Sequence, residues 1–440
     1  MKTLFHALAD HVQGLAKPGE TIASGFRGEV SDFIRFNRSR VRQATTVRQA
    51  VWTLSLVESG RRVDAAITLA GEPVADRDTL SRLVAQLRDA LEGTAPDPYL
   101  LLPDTRTDSD REEAGELPEA GAVIESVLAA GRGVDLVGFH ASGPIFEGHA
   151  SSTGQRNWQR VDNFNFEWCL YHDRDKAVKT GYAGREWSEA AFAERMGFAR
   201  EQLALLARPP RTLEPGRYRA YLSPAALDEV TGLLGWGGFG LKSQRTRQSP
   251  LGRLVDGAAA LDPRVTIAEN TAAGLAPGFQ GEGFVRPDRV PLVVEGRHAG
   301  ALASPRSARE YGVPTNGANG GESPESLDLA AGTLPRADVL AALDRGIYVG
   351  NLWYLNYSDR TACRMTGMTR FASFWVEGGR IVAPLNVMRF DDTLFRMLGS
   401  ELEHLTAERD LIPSSSTYLA RSTASSRLPG ALLKEFTLTL

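Results

Sequence analysis

Arg208-Pro209-Pro210-Arg211-Thr212-Leu213-Glu214-Pro215-Gly216 places three prolines and a glycine within nine residues. No helix continues through such a stretch, because proline lacks the amide donor and crowds the preceding turn. Just upstream, Trp187 to Ala207 reads as a helix that the prolines end. Just downstream, Ser223 followed by Pro224 makes an N-cap and first-turn pair, and Leu227, Val230 and Leu234 supply the buried stripe of the next helix. The break divides the chain into residues 1–207 and 208–440. The expected fold class is α+β, with an N-terminal α/β domain and a Gly-rich, mostly antiparallel β C-terminal domain.

Further from the break, Val51 to Val57 and Val63 to Leu69 are β-branched runs joined by Glu58-Ser59-Gly60-Arg61, which predicts a hairpin. Leu80, Leu83, Val84, Leu87 and Leu91 then recur at helical spacing, with Gly93 beyond them as a stop. Residues 95–120 are acidic and carry Pro96, Pro98, Pro103 and Pro118, which predicts a long loop. Val134 to Tyr182 interleaves polar and apolar residues as antiparallel strands do. The C-terminal part is strand-like, with short helical stretches such as Asp392 to Leu405.

At 440 residues the chain exceeds what a single core usually supports, and 42% apolar with 24% charged residues is ordinary for a globular protein. Fifty Lys+Arg against 54 Asp+Glu give a formal charge of −4, which favours neither nucleic acid nor an anionic membrane as partner. Cys169 and Cys363 are too few and too far apart for a disulfide framework, so reduced thiols and a cytoplasmic location are expected. His6 and Asp10 interrupt the N-terminal stretch before an export signal can form, and the apolar runs fall short of the about 18 residues of a membrane span.

Several motifs invite chemistry. Gly235-Trp236-Gly237-Gly238-Phe239-Gly240 fits G-x-G-x-x-G, yet it follows a helix, whereas a dinucleotide loop follows a strand and opens a helix. None of His6, His11, His140, His149, His172, His298 and His404 belongs to H-E-x-x-H. Cys169 and His172 have C-x-x-H spacing, but on a strand residues three apart face opposite ways, so a structural histidine and a buried thiol are expected. No G-x-S-x-G elbow occurs, and Ser414-Ser415-Ser416 reads as a polar loop. The block from Gly312 to Gly321 is either a cleft-lining loop or plain surface.

Taken in order, several C-terminal segments resemble the TldD/PmbA family. Gly281-Glu282-Gly283, Val293-Val294-Glu295-Gly296-Arg297, Ser307-Ala308-Arg309-Glu310-Tyr311-Gly312 and Thr315-Asn316-Gly317-Ala318-Asn319 follow one another as that family's segments do. Gly346-Ile347-Tyr348-Val349, Thr366-Gly367 and Phe374-Trp375-Val376-Glu377-Gly378-Gly379-Arg380-Ile381 continue the series. The resemblance covers about Arg217 to Ser400, and the N-terminal half only by architecture.

The resemblance implies a two-subunit metalloprotease. Its TldD subunit binds zinc through an H-E-x-x-x-H helix and a C-terminal cysteine, and its TldE/PmbA subunit lacks these ligands. Here the corresponding helix reads Asp228-Glu229-Val230-Thr231-Gly232-Leu233, which places Asp228 and Leu233 at the histidine positions, and Ser414 to Arg427 holds no cysteine. Ser243 to Leu251 is similar to the TldE continuation, while Arg360-Thr361-Ala362-Cys363 departs from a usually smaller, glycine-rich region. The resemblance thus implies a chain with no catalytic residue and no cofactor of its own, zinc in a TldD-like catalytic partner, and an unfolded peptide as substrate. Trp236, Phe239, Arg247, Arg309 and Asn316 are the candidates for facing the peptide or the partner, with packing the competing role for the two aromatics. An independent metallopeptidase with unconventional ligands and a non-enzymatic peptide-binding scaffold are the alternatives.

Overall fold

The computed structural model describes residues 1–173 and 176–439. Its first sheet contains β1 (Thr21–Asn37), β2 (Arg40–Glu58), β3 (Arg61–Thr68), β4 (Asp108–Glu113), β5 (Asp135–Ser151), β6 (Arg156–Asp173) and β7 (Lys176–Gly184). The order is β3-β2-β1-β5-β6-β4, with β7 also on β6. All pairings are antiparallel except β4 with β6. The expected hairpin is β2–β3, turning through Ser59 and Gly60 with positive φ at both. Beyond the end of β3, the β2 segment from Arg40 to Gln49 pairs only with β1 among the described residues.

Helices α1 (Lys2–Gln13), α2 (Pro73–Glu92), α3 (Ala120–Ala130) and α4 (Glu189–Leu206) cover one face of this sheet. α2 starts at Pro73 and stops at Gly93, and its leucine stripe packs with Phe26, Trp52 and Trp158. α3 and α4 pack on Phe36, Phe164, Phe166 and Trp168. The region 95–120 is not one loop, because it contains β4. Asp108-Ser109-Asp110-Arg111-Glu112-Glu113 has no apolar alternation to announce a strand. It lies at the sheet edge, where Lys2 meets Asp110 and the Trp158 indole donates to Glu112 at 2.9 Å.

The second sheet contains β8 (Gly216–Leu222), β9 (Ile267–Glu269), β10 (Val290–Val294), β11 (Arg297–His298), β12 (Ser326–Leu329), β13 (Gly346–Asp359), β14 (Arg364–Glu377), β15 (Arg380–Pro384), β16 (Arg389–Thr393), β17 (Leu402–Pro413) and β18 (Ser425–Leu438). It is antiparallel except where β12 meets β18 and β13 meets β8. β18 lies at its middle, bonded to β8, β12, β16 and β17. Helices α5 (Pro224–Leu234), α6 (Leu241–Arg245), α7 (Gly252–Val255), α8 (Pro305–Tyr311) and α9 (Val339–Leu343) fill the connections. The helix expected over Asp392 to Leu405 is instead the end of β16, one wide turn at Arg396–Ser400 broken at Gly399, and the start of β17. Its apolar residues, Leu394, Met397 and Leu398 from the turn region and Leu402 and Leu405 from β17, all point into the core, which imitates a helical period.

The two sheets touch through side chains from both. Phe374 of β14 joins the core under α4, and Leu275 packs on Ile145 and Val161. Gly283, with φ of 93°, lies against His149 of β5, and a Cβ there would come within 2.5 Å of the imidazole Nε2. Among the described residues no helix is long and apolar enough to cross a membrane.

Candidate functional site

The helix that the sequence places at the metal position is α5. Ser223 caps it, accepting from the Ala226 amide at 3.2 Å and donating to Gly350 O at 2.6 Å, and Pro224 occupies the first turn. Its inner face, Ala226, Leu227, Val230, Leu233 and Leu234, is buried in the second core. Asp228 and Glu229 lie on the outer face. Asp228 lies beside Ser426 of β18, and burial pushes its carboxyl up to about 6, with Glu229 and Glu167 adding repulsion. Glu229 reaches solvent, and the protein crowded around it raises its carboxyl too, with Lys179 opposing.

Asp228 and Leu233 do not converge. Five residues is about 1.4 helical turns, so the two side chains leave the axis roughly 140° apart. Leu233 is only 4% exposed, and its carbonyl accepts from the Tyr357 hydroxyl at 3.0 Å. The residue sharing a face with Asp228 one turn on is Gly232, which borders open space. Zinc sites are built from Cys, His and carboxylate ligands in a tight set. Here the nearby groups are Asp228, Glu229, Glu167 and the Ser426 hydroxyl, with no imidazole or thiol supplied by α5 or by residues 414–427, and this donor set does not fit zinc. Among the described residues no cluster of three or more His, Cys, Asp or Glu has metal-binding geometry.

Beside α5 lies a recess between the sheets. Along β6, Trp158, Phe164, Phe166, Trp168 and Leu170 face the helices, so Asn163, Asn165, Glu167 and Cys169 face the opposite way. The register sets Gly143 beside Asn163, Ala141 beside Asn165 and Phe139 beside Glu167. The segment between β17 and β18 crosses this polar face and covers a cavity of about 170 Å³ lined by Phe139, Ala141, Asn163, Asn165 and Glu167 of the sheet and by Pro413, Ser414, Ser415, Thr417, Arg421 and Ser422. Arg421, 5% exposed, ties the segment down, donating to Gly143 O and Asn163 O, each at 3.0 Å, and to Asn163 Oδ1. Thr423 donates to Glu147 at 3.1 Å. The wall of the recess carries Arg421 and, two register pairs along, Glu167, with which Lys179 pairs at 3.7 Å.

Cys169 and His172 lie three apart on β6 and face opposite ways. The thiol is half-buried and pushed up to about 11 by burial, and His172 is exposed. His140 is packed among Phe164, Phe166 and Trp187 and held down to about 3 by burial.

The remaining sequence candidates lie outside the recess. Trp236 is 66% exposed just past α5, and its carbonyl accepts from Arg360 at 2.5 Å, while Phe239 is 1% exposed in the core. Arg247 is exposed with φ of 57°, and Arg309 is exposed on α8. Asn316 is a strut, accepting from the Ala303 amide at 2.9 Å and donating to Ala301 O at 2.8 Å. Glu322 anchors the end of the same loop. One of its carboxylate oxygens accepts from the Lys242 amide at the start of α6 at 2.8 Å, and the other accepts from the amide and hydroxyl of Ser304, the α8 cap, at 3.0 Å each. Gly312 to Gly321 is therefore a pinned connection. Sequence reasoning missed Arg421, Asn163 and Glu322. The alternation Asn163-Phe164-Asn165-Phe166-Glu167-Trp168 was a signal for the polar face of β6.

No curated protein matches the sequence. The chain is similar in fold to three solved structures. One is a Thermotoga maritima MSB8 protein provisionally described as a modulator of a DNA gyrase, at TM-score 0.78 and 14% identity, covering 99% of this chain and 100% of that one. Another is TldE from Thermococcus kodakarensis, at 0.78 and 13%, with the same coverage. The third, from Bacteroides thetaiotaomicron VPI-5482 and also provisionally described as a modulator of DNA gyrase, stands at 0.75 and 14%, covering 100% of this chain and 98% of that one. The family model described as the PmbA/TldA metallopeptidase C-terminal domain matches residues 215–440, and the chain belongs to the TldD/PmbA family.

Proposed function

We propose that this chain is the metal-free, TldE-type subunit of a two-subunit, cytoplasmic metalloprotease, in which a TldD-like partner supplies the zinc and this chain helps enclose unfolded peptide. The observation that carries the proposal is α5: its two histidine-equivalent positions are an aspartate on the outer face and a leucine in the core. A chain with that helix contributes by shape and polarity. The recess offers amide, hydroxyl and guanidinium donors and one carboxylate, Glu167, which suits the main chain and termini of a peptide. Exposed Trp236, Tyr354, Tyr418 and Leu419 offer apolar surface for a partner.

The test is elemental analysis of the purified chain, followed by peptidase assay alone and with a TldD-like subunit. Near-zero zinc per chain, no activity alone and activity in the mixture support the proposal. About one zinc per chain, lost on Cys169→Ala or His172→Ala, overturns it. A persistent homodimer that ignores the TldD-like subunit overturns the heterodimer.

A further inference from the structure

We infer that the cavity between β5, β6 and the segment 413–422 is a carboxylate subsite, receiving the C-terminal carboxylate or an acidic side chain of a bound peptide. The inference rests on the reading of this chain as a peptide-holding subunit and adds which group of the peptide it grips.

Three observations converge. Arg421 is a buried cation with no carboxylate at salt-bridge distance among the described residues. Glu29 is linked to it through Ser31, whose hydroxyl donates to Glu29 at 2.7 Å and lies 3.4 Å from the guanidinium. The Nη hydrogens of Arg421 go to Ser31, Gly143 and Asn163, all neutral acceptors, so the charge is hydrogen-bonded but not neutralised, and an entering anion would offset it.

Asn163 supplies the second observation. Its side chain is 1% exposed, and because Arg421 must donate to an oxygen, the atom it meets is Oδ1 and the other is the amide nitrogen. Among the described residues that nitrogen has no hydrogen-bond partner, and Asn163 is part of the cavity wall. A buried, unpaired donor is uncommon in a settled structure. The nitrogen is screened from solvent, and a small turn of the side chain would present it to a carboxylate oxygen in the cavity.

The third is size and lining. About 170 Å³ is enough for a small group and far too little for a folded partner. Ser414, Ser415, Thr417 and Ser422 add hydroxyls that can donate. Glu167 is the one carboxylate in the wall. It stands across from Phe139 in the register, two rows along from the Gly143 and Asn163 pair, and Lys179 pairs with it.

The experiment is isothermal titration calorimetry of the full chain, alone and assembled with the TldD-like subunit, against three short N-acetylated Ala/Ser peptides. One has a free C-terminal carboxylate, the second is amidated, and the third is amidated with one internal Glu. The expected result is that the free acid binds at least about tenfold more tightly than the amide, the worth of a charge-assisted hydrogen bond. If only the free acid gains, the source is the chain end; if the Glu peptide gains equally, any carboxylate serves; either outcome supports the subsite. Arg421→Gln removes the preference, and Thr417→Trp, which fills the cavity from the loop side without touching the sheet, removes it in a chain whose packing is otherwise intact. Equal binding of all three peptides, or a preference that survives Thr417→Trp, overturns the subsite and leaves the peptide-holding role standing. No binding of any peptide in either state overturns both.

Discussion

Glu322 offers the sharpest test of how the C-terminal unit is held together. Its carboxylate accepts three hydrogen bonds, at 2.8, 3.0 and 3.0 Å, from the start of α6 and the cap of α8, and the side chain is buried. Hydrogen bonds to a charged acceptor contribute about 1.5–3 kcal/mol each, and donors left buried without an acceptor cost more than the mean bond is worth. Glu322→Gln keeps one acceptor oxygen and turns an NH2 toward the donors on the other side, so a loss of about 2–3 kcal/mol is expected. Glu322→Ala removes all three bonds, for about 3–5 kcal/mol. Glu322→Gly loses the same bonds but relieves the positive φ of 51°, recovering about 1 kcal/mol relative to alanine. Urea denaturation followed by tryptophan fluorescence measures the ordering, and hydrogen exchange at the Lys242 and Ser304 amides measures it locally. A glutamine variant within about 0.5 kcal/mol of the parent, with both amides equally protected, would show that the carboxylate is not the clamp.

Asp228 and the aromatic pair beyond it supply two further tests. Burial raises the Asp228 carboxyl to about 6 in the fold, above its unfolded value, so the folded chain holds the proton more tightly and stability falls as pH rises through the interval from about 4 to 6. Asp228→Asn is expected to stabilise the chain by about 1–2 kcal/mol at pH 8 and hardly at all at pH 3.5; an equal effect at both would remove burial as the cause. Phe239→Ala should cost about 3–5 kcal/mol and Trp236→Ala less than about 0.5, measured by denaturation, because one ring is in the core and the other in solvent.

The parts of the fold legible in the sequence were those decided locally. The β2–β3 hairpin, the α2 stripe with Gly93, and the Ser223-Pro224 start of α5 each follow from neighbours within a few residues. β4 was missed because a short, wholly polar edge strand has no pattern of its own, and its existence depends on β6 more than 40 residues away. Asp392 to Leu405 misled because core-facing residues of a turn and the strand after it mimicked a helical period. The recess was illegible for a similar reason. Asn163 and Arg421 are separated by 258 positions, and nothing about either marks it until the segment between β17 and β18 is laid across β6.

The placement of β18 bears on how the chain acquires its shape during synthesis. The first sheet needs nothing beyond residue 184, so its strands can pair while the rest is still being made. The second sheet has no middle until residues 425–438 arrive, because β8, β12, β16 and β17 all pair with that strand. Until then β8 keeps its edge toward β18 open for about 200 residues of elongation, a long-range closure of the kind that folds slowly and leaves strand edges exposed to wrong partners. The same late strand carries Ser426, the neighbour of Asp228, and its arrival pulls Arg421 and the preceding segment onto the first sheet. The recess is thus the last part of the molecule to be assembled, and no partially made chain displays it.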